Sequence, residues 1–343
     1  MTGVRAAFEE QARACEELGS PFHGRLLALC AAHLTPGGAV ADRVLNWRGD
    51  PSHRADSVAL RLAGALHALK LSGRSELVAV YPPSNVDDAA LWHAVESTMA
   101  DEADVILAWL ESPPQTNEVR RSAAVIPALH LVAQRFGRPI EMFELGTSGG
   151  LNLRADRYRL DLPGAQFGPA DARTILTPDW SGPYPPDAAP HIVRRAGVDL
   201  NPLDPASDAD RLRLLAYLWP DQAHRLKLTE AAIATAAEHP AEITRGDAGA
   251  WLADVLDRSA EGRCRFVFHT IAWQYFPEAT KAACAAALDA AGATASRDSP
   301  IVRFGMEADG GRGAAMTLTT WPGEEIVSLG RADFHGRWIE WTG

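Results

Sequence analysis

Along the first 137 residues the apolar side chains recur at helical rather than alternating spacing. Phe8, Ala12 and Cys15 share one helical face, as do Val58, Leu62, Leu66 and Leu69 before a stop at Gly73. A further helix is predicted after Pro82-Pro83-Ser84-Asn85, with Ser84 or Asn85 as cap and Asp87 and Asp88 favouring its N-terminus. Another is predicted from about 116 to 136, closed by Gly137. The pattern predicts an α-helical N-terminal domain over residues 1–137.

At Pro139 the pattern changes to short apolar runs that end in glycine or an acidic residue. Strands are predicted near 139–145, 192–199, 241–246, 264–270 and 299–306, with helical segments at about 207–218, 248–257 and 277–290. Such alternation predicts a mostly parallel sheet covered by helices on both faces. Two closing β-rich runs, 315–321 and 325–329, flank Pro322-Gly323 and predict an antiparallel hairpin. Residues 156–191, rich in Pro, Gly and Asp, read as an irregular insertion placed to cover a site. The fold class expected is α/β, with the second domain spanning 138–343.

A chain of 343 residues, 47% of them hydrophobic, can fill the cores of two lobes. Its net charge of −11, with no dense Lys/Arg cluster, disfavours nucleic acid as a partner. No stretch approaches the roughly 18 apolar residues of a membrane span, and the N-terminus lacks a basic segment followed by an apolar run. A cytoplasmic protein without a membrane partner is the expectation. Cys15, Cys30, Cys264 and Cys284 are widely spaced, form no Cys-x-x-Cys pair and read as core hydrophobes, so no metal site is expected.

The strongest chemical signal is Glu144-x-Gly146-x-Ser148-x-Gly150 at a predicted strand-to-helix junction, where small residues let the backbone approach a nucleotide. The bland alternative is a tight turn that binds nothing. Asp199 closes the next predicted strand, where a carboxylate can accept ribose hydroxyls; alternatively it organises a turn before Asn201-Pro202. Asp247 follows the strand after that, placed for an adenine amino group or simply as N-cap of the helix holding Trp251 and Leu252. All three fall at strand ends on the side where open α/β sheets bind ligands.

This arrangement over 138–343 resembles the class I S-adenosylmethionine-dependent methyltransferases. The resemblance implies S-adenosylmethionine as cofactor and a Rossmann-like sheet. It assigns Glu144, Gly146, Thr147, Ser148 and Gly150 to the cofactor turn, Asp199 to the ribose, and Asp247 with Ala248 to the adenine. His269 with Thr270 is placed at the strand end facing the methyl group. Two features depart from that pattern: Ser148 stands where glycine is usual, and about 55 residues separate Glu144 from Asp199. The whole chain also resembles an uncharacterised bacterial family, DUF2332. The segments that carry this likeness are Tyr81-Pro-Pro-Ser-Asn85, Gln115-Thr-Asn-Glu118, Glu144 to Asn152, Asp199-Leu-Asn-Pro-Leu-Asp204, Phe268 to Tyr275 and Asp333-Phe-His-Gly336.

His269, Trp273, Gln274 and Tyr275 are the candidates for a substrate wall, with His269 as a general base and the aromatic faces steadying a cation. They also fit a hydrogen-bonded buried histidine among core aromatics. Asn117 and Arg121 are candidates for binding a substrate carboxylate, against a capped helix start in which Glu118 pairs with Arg121. The function expected is methyl transfer to a small molecule, accelerated mainly by placement. Two alternatives stand beside it. Gly146-x-Ser148-x-Gly150 fits a serine-hydrolase elbow, with Asp309 and His335 following in order; a methyltransferase-like scaffold that binds without catalysing is the other.

Overall fold

The computed structural model describes residues 2–343. Contacts divide the chain into two compact units, Met1–Thr116 with Ser207–Lys227, and Asn117–Ala206 with Leu228–Gly343. Helix Ser122–Phe136 therefore groups with the sheet rather than with the helices before it, and Asp208–Ala216 groups with the early helices rather than with the sheet. The expected boundary after residue 137 ignored how apolar Ser122–Phe136 is: residues 122–130 are all buried, and the helix packs on β9 (Ile301–Ala308).

In the first unit the described elements up to residue 110 are helices, from Thr2–Glu17 through Ala103–Leu110. Leu26, Leu27, Val44, Leu62, Leu66 and Leu91 lie in one buried cluster. Local sequence sets the helix starts. Ser20 accepts from the His23 amide with Pro21 at the first helical position. Asp87, not Ser84 or Asn85, caps helix Asp88–Asp101 by accepting from the Ala90 amide. The late segment is tied in by Ser20 Oγ donating to Asp221 Oδ1 at 2.6 Å and by His67 Nδ1, 3.1 Å from the Ala216 carbonyl.

The second unit holds twelve strands among its described residues. They are β1 (Ile140–Leu145), β2 (Arg159–Leu162), β3 (Ala165–Phe167), β4 (Ile175–Leu176), β5 (Asp179–Ser181) and β6 (Ile192–Asp199), then β7 (Glu242–Arg245), β8 (Cys264–Thr270), β9, β10 (Ala314–Trp321), β11 (Glu325–Ala332) and β12 (Trp338–Trp341). Nine form one sheet in the order β5-β12-β11-β10-β9-β8-β1-β6-β7. The run β7-β6-β1-β8-β9 is parallel throughout, so its strands lie in the order third, second, first, fourth, fifth along the chain. Strand order reverses between β1 and β8, and crevices at such reversals open at the carboxyl ends of the strands. Every residue of β1 and of β8 is buried, as a doubly covered parallel sheet requires. The fold is thus mixed α/β with a large, mostly parallel sheet.

Three parts differ from expectation. Residues 156–191 are not irregular: β2, β3 and β4 make a small separate sheet and β5 pairs with β12 at the edge of the large one. A short 3-10 segment, Leu151–Arg157, follows the glycine turn in place of a long helix, so the 55 residues before Asp199 are filled by this small sheet. Helix Ala223–Glu238 was not anticipated; its apolar positions are mostly alanine. The cysteines meet expectation: all four are buried and free, with burial pushing the Cys264 thiol up to about 12. No helix among the described residues is long and apolar enough to cross a membrane.

Candidate functional site

The turn after β1 is built on left-handed backbone, with φ of +72° at Gly146, +52° at Ser148 and +66° at Gly150. Glycine takes this conformation freely, whereas Ser148 holds it at roughly 1–2 kcal/mol. The Gly146 and Thr147 amides donate to the Val198 carbonyl at 2.9 and 3.1 Å, lashing the turn to β6. A Cβ on Gly146 would lie 2.7 Å from Ala272 Cβ, and one on Gly150 would lie 2.8 Å from Arg154 Nη1. The Leu151 amide donates to Asn117 Oδ1 at 2.9 Å, so Asn117 fixes the exit of the turn. Ser148 is 4% exposed, and its Oγ has no hydrogen-bond partner among the described residues.

The three acidic residues do meet along the carboxyl edges of β1, β6 and β7, and each has a local task. Glu144 is buried beneath the turn and accepts from Thr147 Oγ1 at 2.6 Å; burial pushes its carboxyl up to about 8. Asp199 accepts from the Ser148 amide on one oxygen and the Asn201 amide on the other, both at 2.8 Å. Its carbonyl accepts from Gly246, which joins it to the loop bearing Asp247. Asp247 caps helix Ala248–Asp257 by accepting from the Gly249 and Ala250 amides, and Thr280 Oγ1 donates to its other oxygen at 2.6 Å. These donors, Thr280 foremost, hold its carboxyl below the usual range. Ala248 is buried in the first turn of that helix. Asp247→Ala is expected to destabilise by about 1 kcal/mol, the usual worth of a cap, with Asp247→Asn nearer to wild type. Calorimetry checks this; equal melting temperatures for all three proteins would show that the cap contributes nothing.

Across the strand reversal, the loop after β8 begins at Ile271, whose φ of +51° is unusual for a β-branched residue. His269 is 1% exposed. Its Nδ1 lies 2.8 Å from Glu307 Oε1, and its Nε2 accepts from Arg303 Nε at 3.2 Å and Nη2 at 3.1 Å. Burial is the largest influence on the imidazole and pushes its pKa down. A neutral ring with Nδ1–H toward Glu307 satisfies both neighbours and leaves no lone pair for a substrate proton, so the general-base role expected for His269 does not fit this arrangement. Trp273 stacks on His269 with centroids 4.9 Å apart, and the Arg303 guanidinium lies 4.3 Å from the Trp273 ring. Gln274 and Tyr275 are exposed.

Arg121 is close to where the sequence put it but differently employed. Its Nε donates to the Phe334 carbonyl at 2.9 Å and its Nη1 to the Thr270 carbonyl at 3.1 Å. Through these two donors it ties two loops together. Glu118 caps the short 3-10 segment Val119–Arg121, and it accepts from Arg120. The Ser148, Asp309 and His335 set is not assembled: Arg331 occupies both Asp309 oxygens, at 2.6 and 2.9 Å, and Ser148 Oγ contacts no histidine by hydrogen bond.

Arg303, Gly305 and Glu307 were missed by sequence reasoning. They alternate on one face of β9, and Gly305 pairs with His269 on β8. A Cβ at Gly305 would lie 3.0 Å from the imidazole, so glycine makes the slot in which the ring sits. The visible signal is the period-two row Arg-x-Gly-x-Glu inside an otherwise apolar strand. On the other side of the glycine turn lies a cavity of about 410 Å³, lined by Arg154, Pro202, Leu203, Asp204, Ala236 and Ile243 among others.

No curated protein and no solved structure shows significant similarity to the chain. The family model described as "Uncharacterized protein conserved in bacteria (DUF2332)" matches residues 5–341, a span that takes in nearly all of both units and every site residue named above. On that match, the chain belongs to the DUF2332 family.

Proposed function

We propose that the sheet unit is a Rossmann-like, S-adenosylmethionine-binding domain preceded by an α-helical N-terminal domain, and that the protein is a cytoplasmic methyltransferase acting on a small molecule. One observation carries this reading. A left-handed glycine turn stands at the strand-order reversal, and Glu144, Asp199 and Asp247 line the carboxyl ends of the three successive strands beside it. No single task in the hydrolase alternative uses all three. Ser148 Oγ, buried and unpartnered, adds a donor at the same turn that a bound group would satisfy. The adjoining cavity falls in the size range of small-ligand sites.

When bound, S-adenosylmethionine supplies an electrophilic methyl group on a sulfonium. The chain's own residues would do the holding. Gly146 and Gly150 add no side chains at the two ends of the turn, and Asp199 retains lone pairs for ribose hydroxyls beyond the two amides it accepts. Glu144, protonated at neutral pH, places no full negative charge under the turn. Asp247 and Ala248 offer the rim of a helix start to the adenine. Acceleration by placement alone requires no indispensable base, which suits a site whose His269 is already committed.

Isothermal titration with S-adenosylmethionine and S-adenosylhomocysteine tests the reading, repeated with Glu144→Ala and Asp247→Ala. Binding by the wild type, weakened roughly tenfold or more in each folded variant, is expected, since each tenfold is about 1.4 kcal/mol. No binding by the folded wild type would sink it. The left-handed Ser148 is the one feature that also suits a hydrolase elbow, and labelling by a fluorophosphonate probe would favour that alternative.

A further inference from the structure

Glu307, not singled out from the sequence, gathers three donors of this site on one oxygen. Its Oε1 accepts from His269 Nδ1 at 2.8 Å, from the Ala272 amide at 3.0 Å and from the Trp273 amide at 3.1 Å. Those two amides belong to the loop that opens with the left-handed Ile271. The same loop puts Ala272 Cβ against the bare α-carbon of Gly146, and Phe276 beside it. Left to itself, a β-branched residue abandons the left-handed region, so something must overdetermine the loop, and the triple acceptor does so.

We propose that Glu307 is a positioning residue: it holds the loop Ile271–Phe276 against the glycine turn, and through the Ala272–Gly146 contact it sets the shape of the proposed cofactor site. The charges around it suit that task. Arg303 lies two places back from Gly305 on the same strand face and Glu307 two places on, and the neutral imidazole of His269 bridges them. Oε2 of Glu307 is buried and has no hydrogen-bond partner among the described residues. Glutamine at this position would keep the acceptor that all three donors use and exchange one unpartnered atom for another. Glu307→Gln is therefore the conservative variant, and Glu307→Asp, which keeps the charge but withdraws it by one methylene, is the disruptive one.

Hydrogen exchange on the full-length chain, followed by mass spectrometry, tests the loop without any ligand. Peptides covering 271–276 are expected to exchange about tenfold faster or more in Glu307→Ala and Glu307→Asp, within about threefold of wild type in Glu307→Gln, with helix Ala248–Asp257 unchanged. If Glu307→Ala unfolds, Glu307→Asp carries the same comparison. Unchanged exchange in 271–276 for Glu307→Asp overturns the proposal, as does equal acceleration in Glu307→Gln. The second arm rests on the methyltransferase reading: affinity for S-adenosylhomocysteine should fall about tenfold in Glu307→Asp and recover in Glu307→Gln, tenfold being about 1.4 kcal/mol. Should the wild type bind no S-adenosylhomocysteine, that reading fails while the exchange arm still decides the role of Glu307. Wild-type affinity in a Glu307→Asp protein whose loop is loosened would overturn the link from loop to turn.

Discussion

Gly146→Val is expected to lower the melting temperature of the sheet unit by roughly 10 °C and to abolish any binding at the glycine turn. Two effects add. Gly146 sits at φ +72°, where an L-residue loses roughly 1–2 kcal/mol and a β-branched one more. Its new Cβ would also lie 2.7 Å from Ala272 Cβ, which is bound directly to the main chain and cannot swing aside as a long side chain would. Overpacking of this kind adds roughly 1–3 kcal/mol. A total near 4 kcal/mol, at roughly 2–4 °C per kcal/mol for a unit of this size, gives the shift stated. Gly137 separates the two effects. Its φ is +59°, but a Cβ there meets nothing within 4 Å, so Gly137→Ala reports the backbone contribution alone. Gly146→Ala should exceed it, and adding Ala272→Gly should recover the excess, the behaviour of two residues in direct contact. Equal losses for Gly146→Ala and Gly137→Ala, read by calorimetry, would show that the two loops do not touch.

The parts of this fold that could be read from the sequence are those whose cause is local. The strands β1, β6, β7, β8 and β9 lie within a few residues of their expected positions: β1 and β8 are short apolar runs buried on both faces, and turn or acidic residues mark the strand ends. Helix Ala248–Asp257 was predictable to the residue for the same reason: Asp247 caps it, and Trp251, Leu252 and Val255 give it an inward face. What could not be read depends on partners distant along the chain. β5 is three residues long and exists only because it pairs with β12, some 160 positions later. Likewise, Arg121 looked like a carboxylate clamp because nothing near it in sequence announces that the carbonyls of Thr270 and Phe334 will take its donors. His269 looked like a free base because its two partners sit 34 and 38 positions away. The row Arg303, Gly305, Glu307 was visible as a pattern, yet its meaning comes only from the register that sets Gly305 opposite His269. Candidate residues were thus recognisable by type, while their commitments were set by the sheet.

Glu144→Gln should reverse its rank against wild type between acid and mildly alkaline pH. Burial pushes the Glu144 carboxyl up to about 8 from an ordinary value of 4.5, with Thr147 and Arg154 opposing the rise and Asp199 adding to it. Between those two values the folded protein keeps the proton and the unfolded chain releases it. The contribution to stability is therefore complete below about 4.5 and declines as pH climbs to about 8, above which it is constant. At about 1.4 kcal/mol for each unit of pKa, the decline is on the order of 5 kcal/mol over the window. Glutamine mimics the protonated acid and does not titrate, so the variant lacks this slope. It should equal or fall slightly below wild type near pH 5 and exceed it by several degrees near pH 8.5. Other groups in the fold titrate over the same range, His23 and His67 among them, both buried with their pKa values pushed down. They are common to both proteins and cancel in the difference between the two melting curves. Parallel curves from pH 5 to 9 would mean that Glu144 is ionised when folded, and the turn would then rest on a carboxylate rather than an acid. That outcome would change the ligand chemistry expected above it, since a fixed negative charge favours a cationic sulfonium over its neutral thioether product, whereas a neutral acid does not distinguish them. The pH series thus shows which form of Glu144 any bound cofactor would meet.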